Sequence, residues 1–167
     1  METWKLVPAE FVKWADTYQQ ASLDLLDEQV KDNPEDLFWK TQEAEAIYGT
    51  VQVKDMYPMY HKYYAELEED VELPDGYDSY KSNLDLTKEE YLGSSAYKNY
   101  VTSAVAEATD AAMVEDEANV DKTLVGLEVA QEILSNEKVR NDFWVTSVMG
   151  KMSFTPLTEL KASLSLK

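Results

Sequence analysis

At 167 residues, with 44% apolar and 11% aromatic side chains, the chain is long enough to bury a core and too apolar for wholesale disorder. Thirty-three Asp and Glu against fifteen Lys and Arg leave a formal charge of −18, which opposes nucleic acid and anionic membranes because both are held through basic side chains. Cysteine is absent and histidine occurs once, at His61, so disulfides, thiolate metal sites, cysteine nucleophiles and multi-histidine metal centres are excluded within the chain.

Pro8 stands where a first-turn proline belongs, and Phe11, Ala15, Tyr18, Leu25 and Leu26 follow at helical spacing, predicting an inward face for a helix over 8–31. Asn33-Pro34-Glu35-Asp36 then reads as a restart: a capping asparagine, proline in the first turn and acids at the positive end of the dipole. The second helix carries Leu37, Phe38, Ala44 and Ile47 inward and is expected to fade near Gly49. Pro58 interrupts the next helical stretch. A cap at Asp55 with a helix starting at Met56 would put that proline in a tolerated first turn. Residues 71–86, with Pro74-Asp75-Gly76, read as turn and loop.

Thr87-Lys88-Glu89-Glu90 fits a capping box for a short helix ending at Gly93. Ser94 or Ser95 can cap a long helix through Tyr97, Tyr100, Val101, Val105, Ala108 and Ala112. After the acidic link Glu115–Asn119, Asp121 caps a helix holding Leu124, Leu127, Val129, Ala130, Ile133 and Leu134. Asn136 restarts the chain into Val139, Phe143, Trp144 and Val148, and Thr155-Pro156 restarts it again. The sum is an all-α fold, an array of about six to eight short helices packed as antiparallel pairs. It reads as a single α-helical domain over 1–167. The opening Met1–Lys5 has no signal-peptide pattern, and the chain stops inside the amphipathic stretch Leu157–Leu166, as in a fragment cut from a longer multidomain chain. No stretch approaches the roughly 18 apolar residues of a membrane span.

A calcium loop around Gly76 fails, since Val71, Leu73 and Ser82 would fall where carboxylates are needed. Paired acids, Glu66 with Glu69 or Glu128 with Glu132, could do acid–base work only in a desolvated cleft. No catalytic, cofactor-binding or metal residue is therefore expected in this chain. The acid runs, seven residues in Glu66–Asp78 and six in Glu107–Asp121 without a base, read as solvated surface or as the complement of a basic partner. Tyr57, Tyr60, His61 and Tyr64 share one helical face, with Tyr63 beside them. They form a candidate partner surface, and the alternative is that this face packs against the helix of Tyr97 and Tyr100. Trp4, Trp14, Trp39 and Trp144 read as core or interhelical wedges.

One ordered pattern goes beyond generic helices. Glu43 and Tyr48 precede Tyr57, Tyr60 and Tyr64, followed by Leu73-Pro74-Asp75-Gly76-Tyr77-Asp78-Ser79-Tyr80, then Leu84-Asp85-Leu86-Thr87-Lys88-Glu89-Glu90-Tyr91-Leu92, then Ser94-Ser95-Ala96-Tyr97-Lys98-Asn99-Tyr100, and later Ile133 to Arg140. This order resembles the helical region preceding the thioredoxin-like domain in envelope thiol–disulfide proteins of the TlpA/ResA type from Bacteroidetes, over roughly residues 35–167. The resemblance implies a periplasmic or envelope location, a redox domain downstream, and an accessory role that docks a protein partner or a neighbouring domain of the same chain. It carries no redox residue onto this chain. The alternative is a free-standing acidic helical protein-binding module.

Overall fold

The structure, a computed structural model, describes residues 2–30, 36–113 and 121–154. It is all-α, with no strand among the described residues. The chain divides into two compact units, Met1–Asp85 with Glu90–Tyr100, and Leu86–Glu89 with Val101–Lys167.

The first unit is built on two long antiparallel helices. A 3-10 turn, Glu2–Lys5, leads into α1, Pro8–Gln29, where the proline occupies the first turn because its missing N–H has no helical acceptor there. Helix α2, Leu37–Tyr64, is capped by Asp36, whose Oδ1 accepts from the Phe38 N–H at 2.8 Å. The cap expected at Asn33-Pro34 lies outside the described residues. Antiparallel order follows from the contacts: Phe11 stacks on Tyr57, Asp16 accepts from Lys54 at 2.6 Å, and Leu26 and Asp27 share a cleft with Trp39 and Glu43. The buried Lys54 ammonium also lies over the Tyr80 ring, 4.8 Å from its centroid.

Helix α2 corrects two expectations. It does not fade at Gly49, nor does it restart at Met56; it runs unbroken through both. One glycine costs a helix about 1 kcal/mol, and the buried row Ala44, Tyr48, Val51, Lys54, Tyr57 and His61 carries the helix past it. Pro58 therefore sits well inside a helix, where it leaves the Lys54 carbonyl without its usual N–H donor. The Tyr77 hydroxyl supplies the missing donor at 2.8 Å. Asp55 is no cap: its Oδ1 accepts from the Tyr80 hydroxyl at 2.6 Å and pairs with Lys81 at 3.1 Å. The helix ends with Glu66 in the left-handed region at φ +56°, and the Leu67 N–H reaches back to the Lys62 carbonyl at 3.0 Å.

The stretch read as loop contains a 3-10 helix, Tyr77–Asn83. It starts after Gly76, whose φ of +76° suits glycine. Side chains three apart eclipse in this helix, so Tyr77 and Tyr80 both reach α2. The predicted short helix before Gly93 is a single 3-10 turn, Glu89–Tyr91. Helix α3, Ser95–Ala112, then begins at a cap made of two parts. Ser94 Oγ accepts from the Tyr97 N–H at 3.1 Å, as expected of a capping serine. Glu45 of α2 adds a carboxylate: its Oε1 accepts from the Ser95 N–H at 2.8 Å, the Ser94 hydroxyl at 2.9 Å and the Ala96 N–H at 3.3 Å. Burial alone would raise the Glu45 pKa; these donors outweigh it and hold the carboxyl below its ordinary value.

In the second unit α4, Lys122–Ile133, and α5, Glu137–Phe154, form an antiparallel pair. Trp144 Nε1 donates to the Leu127 carbonyl at 3.1 Å, and Lys151 pairs with Asp121. Both predicted caps are present. Asp121 Oδ1 accepts from the Thr123 N–H at 3.0 Å, and Asn136 Oδ1 accepts from the Lys138 and Val139 N–H groups at 2.9 and 3.2 Å. Val101, Val105 and Thr109 of α3 are buried here, as are Val129, Ala130, Leu134 and Val139. The acidic link Glu115–Asn119 and the restart at Thr155-Pro156 lie outside the described residues.

Candidate functional site

The tyrosine face predicted as a partner surface divides in two. Tyr57 is fully buried, with its ring 4.0 Å from that of Phe11 and its hydroxyl donating to the Leu6 carbonyl at 2.7 Å. Burial pushes its pKa up to about 12. His61 is buried against Tyr57, and its Nδ1 lies 2.8 Å from the Trp4 carbonyl. A carbonyl can only accept, so that nitrogen carries the hydrogen. These two side chains bind the N-terminal segment of the chain. Tyr60 and Tyr64 are half-buried, Tyr60 against Trp4 at 4.8 Å, and Tyr63 beside them is 74% exposed. The packing partner is accordingly Trp4, Phe11 and Tyr77, in place of the expected Tyr97 and Tyr100. Those two rings meet Tyr48, at 4.9 and 5.3 Å.

A different surface stands open. Between α1 and α2 lies a groove of about 470 Å³, with Trp14, Tyr18, Leu25 and Leu26 on one wall and Ala46, Gly49 and Val53 on the other. Trp14, Tyr18 and Leu25 are 39%, 63% and 59% exposed, although helical periodicity places Tyr18 and Leu25 on the inward face. Direction and burial part company here because the opposing positions are too small. Ala46 and Gly49 cannot reach across, so the large side chains of α1 line a trough without filling it. Leu37 and Phe38, also predicted inward, are likewise exposed at the start of α2. A signal was available in the sequence: a glycine within the helical pattern opposite an aromatic stripe.

The groove carries little charge and no base. Glu45 is its one carboxylate, and it is already committed to the start of α3. Outside the groove α1 bears Glu10, Asp16, Asp24, Asp27 and Glu28 against Lys13 alone. Helical backbone groups along both walls are bonded within their own helices. The groove can therefore bury apolar side chains in an acidic setting, and it offers no array of donors for an extended chain or a phosphate.

The paired acids considered for acid–base work are placed on the surface: Glu66, Glu69, Glu128 and Glu132 are exposed. Among the described residues no three His, Asp or Glu side chains gather where they could hold a metal ion. A second cavity, of about 340 Å³, lies within the second unit among Val105, Thr109, Thr123, Gly126 and Phe143. Trp14 is well exposed along the groove and Trp4, Trp39 and Trp144 are half-buried, so none of the four is deep core. No described helix is long and apolar enough to cross a membrane. Compared with known proteins, the chain matches no family model, no curated protein and no solved structure.

Proposed function

We propose that this chain is a noncatalytic helical interaction module, serving as the accessory region of an envelope thiol–disulfide protein with a thioredoxin-like domain. The observation that carries the interaction role is the α1–α2 groove, along which Trp14, Tyr18 and Leu25 stay 39–63% exposed on an otherwise strongly acidic chain. Leaving three large side chains partly uncovered forgoes a fraction of the roughly 1.5–3 kcal/mol that full burial of each would be worth, and contiguous apolar surface of this kind marks contact sites. The envelope context rests on the ordered aromatic and turn motifs described above. Several of their tyrosines, Tyr48, Tyr57, Tyr77, Tyr91 and Tyr97, are buried, so what the pattern supports is a shared scaffold and not a shared site.

A photo-crosslinking amino acid at Tyr18, introduced in the source cell, tests the interaction role. The expected product is an adduct with a neighbouring domain or a protein partner, absent when the probe stands at the exposed Ser103. No adduct at Tyr18 overturns the groove as a contact site. Reading the gene beyond Lys167 tests the context: a thioredoxin-like frame with a Cys-x-x-Cys pair supports the accessory role, and a stop codon leaves the free-standing acidic binding module.

A further inference from the structure

Gly49 has no reason within this chain. It sits in the middle of α2, where glycine is the least favourable residue after proline. A Cβ built there meets no atom within 4 Å, so intramolecular packing does not require its absence. Its open side faces the groove. A helix that keeps a glycine beside an unfilled apolar trough leaves room for a second backbone to approach closely.

We infer that the groove receives an amphipathic basic helix from a protein partner, laid along α1 and α2 with its apolar side chains between Trp14 and Leu26; this rests on the interaction role above. The occupant is helical because the trough is apolar and its walls have no free backbone groups. An extended peptide would bury its own N–H and C=O groups there without partners, whereas a helix brings them already satisfied. The distance from Trp14 to Leu26 along α1 is about 18 Å, or about three turns of a docked helix. The occupant is basic because the lining holds no Lys or Arg and, with Asp16 already paired to Lys54, the flanks of α1 still carry four acids against one base. That same charge makes a second copy of this chain, at −18, a poor occupant.

The test titrates the full chain with a synthetic Leu/Lys peptide of about 14 residues, four turns with leucines on one face. A scrambled peptide of the same composition and a Leu/Glu peptide with the same pattern serve as controls. The Leu/Lys peptide is expected to gain helical circular dichroism on binding and to shift the NMR signals of the Trp14 indole, Ala46 and Gly49. The scramble should bind at least about tenfold more weakly, a loss of about 1.4 kcal/mol, and the Leu/Glu peptide not at all. Gly49→Leu fills the trough from its open side; it should weaken the Leu/Lys peptide by a similar factor while Tm stays the same or rises. Equal binding of the scramble, or an unchanged Kd in Gly49→Leu, overturns the inference. So does concentration-dependent self-association of the wild type that Gly49→Leu abolishes, since the occupant is then a second copy. A Tyr18 adduct in cells without Leu/Lys peptide binding removes the basic helix and leaves the interaction role standing. Neither adduct nor peptide binding removes both.

Discussion

All eleven tyrosines of the chain fall in the first unit and none in the second, whose buried side chains are valine, alanine, leucine and threonine. The two units are therefore held by different means. In the first, phenol hydroxyls tie distant backbone to α2 or from it: Tyr57 to Leu6, Tyr77 to Lys54, and Tyr48 to the Asp85 carbonyl at 2.8 Å. Each of these bonds adds direction to an aromatic contact, which lets irregular segments such as Glu2–Lys5 and Tyr77–Asn83 stand in defined places. In the second, the buried contacts are aliphatic and non-directional, local caps at Asp121 and Asn136 start the helices, and the Trp144 indole bond to the Leu127 carbonyl is a directed tie between them. A core anchored by directed bonds around Phe11, Tyr57 and Tyr77 can leave the neighbouring groove unfilled and still keep its shape.

Deletion of one anchor in each unit is the strongest way to break this contrast. Tyr57→Ala should cost about 3–5 kcal/mol in a denaturant melt, and Val129→Ala about 2 kcal/mol. Equal costs would mean that the phenol contributes no more than an aliphatic contact does. Alkaline titration sharpens the comparison next. Burial pushes Tyr48 and Tyr57 from an ordinary value near 10 up to about 12, and raises Tyr77 and Tyr91 further. Their folded pKa values lie above the unfolded ones, so the stability they lend is complete below pH 10 and is lost as pH climbs toward 12. Near-UV circular dichroism of the tyrosines should collapse over that interval. The fluorescence of Trp144, in a variant keeping only that tryptophan, should lag behind it.

The proline repair is a smaller effect with a sharper signature. Tyr77→Phe should cost about 1–2 kcal/mol, because it leaves the buried Lys54 carbonyl with no donor. In a Pro58→Ala background the restored N–H can reach that carbonyl, so the cost of Tyr77→Phe should fall by half or more. A double-mutant cycle with no coupling would show that the hydroxyl is not compensating for the proline. Smallest is the cap supplied by Glu45. Glu45→Ala should cost about 1 kcal/mol. Because its folded pKa is depressed below 4.5, the wild-type advantage over Glu45→Ala should be present above that pH and vanish as acid protonates the folded carboxyl. An advantage independent of pH would assign the loss to packing.

Local chemistry was the legible part. Pro8, Asp121, Asn136 and Ser94 announce helix starts because a cap needs only the right side chain beside the right N–H. The candidate site was legible only in part. Tyr57, Tyr60, His61 and Tyr64 do share a face, but whether that face meets solvent or Trp4 and Phe11 depends on where residues some fifty positions away return. The groove is not legible in the sequence periodicity because Tyr18 and Leu25 obey its inward pattern, and only the size of what stands opposite shows that they stay uncovered.

The order of residues determined by itself that this chain is helical, acidic and devoid of thiol chemistry, since periodicity, caps and composition act over a few residues or over none. Tertiary structure alone decided which apolar residues are core, how Pro58 is tolerated inside α2, and that Glu45 caps a helix fifty residues away. Burial and long-range hydrogen bonding are properties of pairs of positions, and a periodic pattern reports on one helix at a time.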